Sequence, residues 1–253
     1  MLTNLQIRLE TEKNDRIVPQ MSSSMHGILM EHISSQYAGE LHSDGFHPYS
    51  QYLSFEDDNV FWNINTLNVE AYQNIIEPML NTECQMLSLK KHDIVLKAGE
   101  KKMIQITERQ MAEEFYNGNS SRYIKLRFLT PTAFKQRRKY TFYPDLRCIY
   151  QSLMMKYDTV MKNGIYFDED VLEQLVEDSS IAKYNLRSTV FHLEGVKIPS
   201  FVGWILIKLS GTQTLANYIN LLFQFGEYSG IGIKTGIGMG AVRVEKRENG
   251  KRG

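Results

Sequence analysis

Six histidines are the side chains of this chain best suited to moving protons near neutral pH: His26, His32, His42, His47, His92 and His192. An unperturbed imidazole titrates at about 6.5, so small changes in surroundings carry it across working pH. His26 and His32 fall on a predicted helix and flank its apolar face, where a buried, hydrogen-bonded imidazole is the plainer reading. His92 adjoins Asp93 without a cluster of further metal ligands, and His192 falls in a predicted strand. Both read as structural or surface residues. His42 and His47 lie in "GELHSDGFHPYS", a glycine-containing loop after the helix, the kind of segment on which catalytic groups concentrate.

A second unusual stretch is "GEYSGIGIKTGIGMGAVRV". Gly230, Gly232, Gly236, Gly238 and Gly240 fall within eleven residues, with Lys234 among them. A dinucleotide fingerprint needs its glycines between a strand and a helix, and a P-loop needs glycine directly before lysine and a helix after it. Here a helix precedes, a strand follows, and Ile233 precedes Lys234. What remains is a glycine loop leading into a last strand. Its N–H groups could approach a phosphate closely, or its bare backbone could serve a tight hairpin. Both stay open on these residues.

"KQRRKYTFY" interleaves Lys135, Arg137, Arg138 and Lys139 with Tyr140, Phe142 and Tyr143. Such cations can hold phosphates and exposed aromatics can stack on bases. A solvated turn with core aromatics would look the same. The acidic runs "EDD" (56–58) and "DED" (168–170) read as turns and helix starts. Cys84 and Cys148 read as free, buried thiols with no metal spacing around them. No metal or other cofactor is expected.

The elements that must position these groups follow from periodicity. "LQIRLE" (5–10) alternates as a strand. "SSSMHGILMEHISS" (22–35) is a helix with serines at its front as caps. Strands at 49–55 and 60–66 flank the turn "EDDN". A helix at 69–80, a strand pair at 84–89 and 93–99, a strand at 103–107 and a short helix follow. After residue 122 come a strand ending at Pro131, a strong helix at 145–161, two or three strands within 186–211, a helix at 214–226 and the closing strand.

Charge divides the chain. Residues 1–121 hold 9 Lys and Arg against 17 Asp and Glu, and residues 122–253 hold 20 against 12, so a net of −8 faces a net of +8. A basic half can attract a polyanion although the whole chain is neutral, and two opposite halves can equally attract each other. Each half fits a βαββαβ scheme, so the expected fold is α+β with two ferredoxin-like modules in tandem, 1–121 and 122–253. No apolar run is long enough for a membrane span, the N-terminus is not a signal peptide, and a cytoplasmic location is expected.

Three stretches carry a resemblance: "SSSMHGILMEHISSQYAGELHSDGFHPYS", "LRFLTPTAFKQRRKYTFYPDLRCIYQSLMMKY" and "GEYSGIGIKTGIGMGAVRV". In this order and at these distances they resemble the CRISPR repeat-processing endoribonucleases of the RAMP superfamily. The likeness covers nearly the whole chain. Its most specific parts are "TPT-x-F-K" before a helix and the C-terminal glycine loop. It implies tandem ferredoxin-like modules, with the glycine loop near their cleft and near the first helix. It implies a precursor CRISPR RNA repeat as partner and metal-independent attack of a ribose 2′-OH on the adjacent phosphorus, leaving a 2′,3′-cyclic phosphate and a 5′-OH. That chemistry needs a base, an acid and positive charge around the phosphate.

By this resemblance His42 takes the general-base role, because the "L-H" ahead of "Y-S" matches the place of the family's catalytic histidine. His47 is the runner-up. Some relatives place a tyrosine acid late in the first helix, where this chain has Met30. The acid and the charge stabiliser stay open among Tyr37, His47, Tyr49 and Lys234. The implied RNA footprint is Lys135, Arg137, Arg138, Lys139, Gly230, Gly232, Lys234, Gly236, Gly238 and Arg243, extended by Lys246 and Arg247. Relatives pass their product to an interference complex, and a multi-subunit RNA-targeting (type III) system is favoured here. Dimerisation is left open.

Three other classes compete with this one. A non-catalytic RAMP subunit would hold RNA without cutting it. A cyclic phosphodiesterase normally carries two H-x-[ST] motifs, and only "HIS" (32–34) fits. A Mg²⁺-dependent nuclease would need convergent carboxylates.

Overall fold

The computed structural model describes residues 1–11, 15–43, 47–81, 85–161 and 167–245, without the side chains of residues 42, 43 and 117. The expectations for Cys84, Lys246 and Arg247 lie outside the described residues. Strand β1 (Leu2–Thr11) alternates, burying Leu5, Ile7 and Leu9 on one face, as a period of two requires. It pairs with β3 (Asn59–Thr66) on one side and β5 (Ile94–Ile106) on the other. Strands β2 (Tyr49–Glu56) and β4 (Met86–Leu89) complete an antiparallel sheet in the order β2-β3-β1-β5-β4.

A second antiparallel sheet holds β6 (Tyr123–Thr132), β9 (Ser179–Leu193), β10 (Val196–Leu209) and β11 (Val242–Glu245), in the order β11-β6-β10-β9. In each sheet the module's first strand has its third on one side; its other neighbour is the fourth strand, β11, in the second sheet and β5, with β4 beyond it, in the first. That order is what a βαββαβ unit produces. The fold is therefore α+β, with two ferredoxin-like modules in tandem. A short hairpin, β7 (Phe134–Gln136) and β8 (Lys139–Thr141), projects after β6.

Helices α1 (Ser22–His32) and α2 (Ser35–Ser43) and helix α3 (residues 69–80) cover the first sheet; α4 (Glu108–Asn117) leads to the second module. There α5 (Leu146–Met161), α6 (Glu169–Glu177) and α7 (Gln213–Ser229) supply the apolar cover. One core gathers Met25, Leu29, Trp62, Ile64 and Ile75, and another Ile149, Leu153, Ile205, Leu222 and Phe223. Each such side chain contributes about 1.5–3 kcal/mol by burial. No helix among the described residues is long and apolar enough to cross a membrane.

Helix α7 also touches the first module. The Ser50 hydroxyl donates to the Tyr228 carbonyl at 2.6 Å and accepts from the Asn65 amide at 2.9 Å, all buried. At the other end of α7 the Asn217 side chain holds the connecting segment, donating to the carbonyls of Phe115 and Gly118 and accepting from Ser120 N–H.

Several expectations need correction. The helix predicted over 22–35 stops at His32, because Ile33 turns extended (φ −98, ψ 160), and α2 begins at Ser35. His42 is thus on a helix, not in a loop. The leading serines do not cap: Met21, at the end of a 3-10 turn, is the N-cap residue, and it makes no side-chain cap bond. The strands predicted at 93–99 and 103–107 are one strand, β5. The stretch 186–211 belongs to a single long hairpin whose first strand starts earlier, at Ser179.

Thr107 caps α4 in a reciprocal box with Gln110. Thr107→Ala is expected to lower stability by about 1 kcal/mol. A urea midpoint that falls with the slope unchanged would show it.

Candidate active site at the junction of the modules

The glycine stretch is not a hairpin. It leaves α7 at Gly230, passes through a 3-10 turn (Thr235–Ile237) and enters β11. Backbone bonds stitch it to the end of β6: Gly240 N–H donates to the Pro131 carbonyl at 3.0 Å and Ile233 N–H to the Ala133 carbonyl at 3.1 Å. Across the turn, Ile231 N–H meets the Gly240 carbonyl at 2.8 Å.

Two of its glycines are needed for contact with the first module. A Cβ on Gly236 would stand 3.2 Å from the ring and hydroxyl of Tyr49, the first residue of β2. A Cβ on Gly238, whose φ is +107, would overlap Ser22, the first residue of α1. Gly230, Gly236 and Gly238 are buried under protein atoms, whereas Lys234 is exposed and Gly232 half-buried. Lys234 itself adopts the left-handed conformation. The bare backbone therefore serves the junction between modules.

Under this turn lies a cluster of titratable rings. The Tyr49 hydroxyl is 3.1 Å from His26 Nδ1, and the two rings are parallel within 3°, their centroids 6.3 Å apart. His47 approaches Tyr49 from another side, 5.9 Å between centroids. Burial, and then the neighbouring Tyr37, pushes the Tyr49 phenol far up. Burial, followed by Glu70 and Glu40, pushes Tyr37 up to about 12. The Tyr37 hydroxyl is buried without a hydrogen-bond partner among the described residues. Phenols held so high keep their protons at working pH. They suit hydrogen-bond donation better than proton delivery. With Tyr49 donating to Nδ1, a neutral His26 carries its proton on Nε2.

The sequence reading set His26 aside as structural; only the fold brings it to Tyr49 and the glycine turn. His32 is structural as expected, with Nδ1 2.8 Å from the Ile28 carbonyl. His92 lies 3.0 Å from the Ser24 hydroxyl. The helix that carries His42 is described, but its side chain is not. Among the described residues no three His, Cys, Asp or Glu side chains converge as metal ligands. Cys148 is a buried free thiol, pushed up to about 12 by burial and then Asp145.

A second group that sequence reading missed is Lys156 on α5. Its ammonium donates to the carbonyls of Ser229 (3.1 Å) and Gly230 (2.9 Å) and lies 3.4 Å from the Thr235 hydroxyl. The side chain is half-buried, with its ammonium set among these acceptors, and desolvation alone lowers its pKa from 10.5 to about 7.

The predicted basic cluster forms the β7–β8 hairpin, with Arg137 and Arg138 at its tip in left-handed conformations (φ 47 and 67). Lys135, Arg137, Arg138 and Lys139 are exposed, and none of the four makes an ion pair among the described residues. Lys135 lies over the Tyr140 ring at 5.8 Å, while Phe142 and Tyr143 are exposed. Arg243 instead reaches Glu56 of the first module at 3.8 Å. The open face of the second sheet adds cations the sequence reading passed over. Lys125 sits 4.8 Å above Trp204 and, with Arg127, pairs to Glu245. Beside the glycine turn a cavity of about 330 Å³ opens between the modules, lined by Ser22, Leu53, Leu129, Arg187, Val202 and Gly238.

Comparison with known proteins gives a consistent picture. A sequence model of the family described as CRISPR-associated endoribonuclease Cas6 matches residues 126–242. A CRISPR-associated endoribonuclease Cas6 of Streptococcus thermophilus is 32% identical over 236 residues, 93% of this chain and 96% of that protein. One from Mycobacterium tuberculosis is 34% identical over 229 residues, 90% of this chain and 73% of that protein. A solved Cas6 product complex shares the fold with a TM-score of 0.78 at 22% identity, covering 97% of this chain and 99% of that one.

Two outcomes follow from the junction. Gly238→Ala places a side chain at φ +107 against Ser22 and is expected to lower stability by about 2 kcal/mol in denaturant unfolding. Lys156 gives a pH signature. Between about pH 7 and 10.5 the unfolded chain holds a proton on this lysine that the folded chain has released. Its contribution to stability therefore rises with pH through that window and is flat below it. Unfolding free energies of the wild type and Lys156→Met, measured across pH 6–10, check this: the variant is expected to lose that part of the rise.

Proposed function

Because the chain belongs to the CRISPR-associated endoribonuclease Cas6 family, we propose that it cuts precursor CRISPR RNA within its repeats by metal-independent attack of a ribose 2′-OH on the adjacent phosphorus. The products are a 2′,3′-cyclic phosphate and a 5′-OH. The observation that carries this reading is the meeting of His26, Tyr49 and His47 under the glycine turn. Two imidazoles there flank one phenol, which suits proton transfer on either side of a reacting phosphate.

In this reading His42 remains the general base, placed near the end of α2, a few residues before His47 and Tyr49. His47 is the stand-in for acid or base. Tyr49 orients His26, and the exposed Lys234 supplies charge at the turn. The hairpin cations Lys135, Arg137, Arg138 and Lys139, without ion pairs among the described residues, hold the RNA backbone, whereas Gly232 serves internal packing, since a Cβ there would overlap the Ala133 carbonyl. Arg243, half-exposed beside Glu56, belongs to the rim of this footprint. The mature RNA passes to a multi-subunit interference complex.

The test uses end-labelled repeat RNA in EDTA, beside the same RNA with one 2′-deoxy at the cut site. Cleavage of the first and not the second is expected. Cleavage of both, or a requirement for Mg²⁺, sinks the mechanism; tight binding without cleavage leaves an RNA-holding subunit. His42→Ala is expected to slow single-turnover cleavage about 100-fold or more with RNA binding kept. Reversing Arg137 and Arg138 to Glu removes two phosphate contacts. It should flatten the slope of log K against log salt by about 1.5 or more. An unaltered slope removes the hairpin from the footprint.

A further inference from the structure

Lys156 is a half-buried ammonium at the end of α7, yet among the described residues no carboxylate faces it; its acceptors are two carbonyls and a hydroxyl. Removing a charge from water without a counter-ion is costly, and an apolar side chain of similar length would avoid that cost. The negative end of the α7 dipole offsets part of it, since Ser229 and Gly230 close that helix. Stability by itself gives no reason for a lysine here.

The three acceptors do. Ser229 and Gly230 stand before the glycine turn and Thr235 inside it, so one side chain ties the end of α7 to the start of the 3-10 turn. Thr235 is pinned from its other side as well. A Cβ added to Gly230 or Gly240 would meet the Thr235 methyl at 2.7 or 3.1 Å, so this methyl fills the space those glycines leave. The residue after Thr235 is Gly236, whose backbone lies on Tyr49, and the Tyr49 hydroxyl meets His26 Nδ1. The path from Lys156 to His26 therefore runs through contacts alone: ammonium to Thr235, Gly236 to Tyr49, Tyr49 to His26.

We propose that Lys156 is a positioning residue for the junction site. From the second module it sets the height of the glycine turn over Tyr49, and so the orientation of the His26 ring. Its catalytic consequence rests on the nuclease reading above; its structural consequence does not.

Two variants test it. Lys156→Met removes the ammonium but keeps an unbranched chain. Thr235→Val keeps the shape and removes the hydroxyl. The first measurement needs no RNA: the ¹⁵N resonances of the His26 imidazole. Both variants are expected to move them, while those of His32, bonded to its own helix, stay in place. The second is single-turnover cleavage of repeat RNA. Lys156→Met should cut at least about 10-fold more slowly, because small misplacements near reacting atoms cost that much. Its RNA affinity and thermal midpoint should not fall. Thr235→Val should move the same way by a smaller factor.

Unmoved His26 resonances in a folded Lys156→Met overturn the proposal. So does a parallel fall of stability, affinity and rate, the pattern of a purely structural residue. If Lys156→Met does not fold, the Thr235→Val resonances decide. If the wild type does not cut repeat RNA, the nuclease reading fails while the imidazole measurement still judges the positioning role.

Discussion

A missing side chain holds the two modules together. At Gly236 the backbone of the second module rests directly on the ring of Tyr49, and at Gly238 it rests on Ser22. Close-packed interiors do not yield to an added methyl without shifts elsewhere, so these approaches fix the separation of the sheets at this point. Much else follows from it. Tyr49 begins β2 and Ser22 begins α1, so the turn touches the helix that carries His26 and the start of the strand that His47 precedes. The carbonyls of Pro131 and Ala133, just past the middle of the chain, hold the turn from below. The site is thus built by segments more than 200 residues apart in sequence, brought together by a backbone that carries nothing.

This explains which features could be seen in the sequence. Strand alternation in β1 and β6, the apolar stripe of α5 and the strand–helix order of each half are local patterns, and they gave the tandem ferredoxin-like fold. The break after His32 hides in "EHISSQY", which keeps helical spacing through it; Ile33 turns extended and Ser34 starts α2 anew, its hydroxyl accepting from Tyr37 N–H at 3.2 Å, a capping serine that also reads as one more residue of a continuous helix. His26 was discounted because an imidazole beside an apolar helix face is most often structural. What distinguishes it from His32 is a partner 23 residues away, Tyr49. Lys156 was invisible for the same reason: "MMKYD" reads as an ordinary exposed position of an amphipathic helix. The density of glycines was the one sequence signal that pointed to the junction, and it named the place without naming what met there.

The division of charge also has a physical answer in part. Ion pairs do join the halves, Glu56 with Arg243 at 3.8 Å and Lys91 with Glu194 at 2.9 Å. These are exposed pairs, and such pairs contribute about 0–1 kcal/mol each, so charge attraction does not hold the modules. Apolar burial and the backbone contacts at the glycine turn do that. The four cations of the β7–β8 hairpin have no such partners among the described residues and remain available to an anion from outside.

The tip of that hairpin has a consequence of its own. Two-residue turns with both residues left-handed favour Asn-Gly or Gly-Gly, and side chains such as arginine are strained there. Arg137 and Arg138 nevertheless occupy both positions. The hairpin is locally frustrated: its shape and its charge ask for different residues, and the charge has prevailed. Frustration of this kind marks where a sequence answers to something other than its own folding. A version of the chain selected for thermal stability alone would be expected to lose its arginines here first.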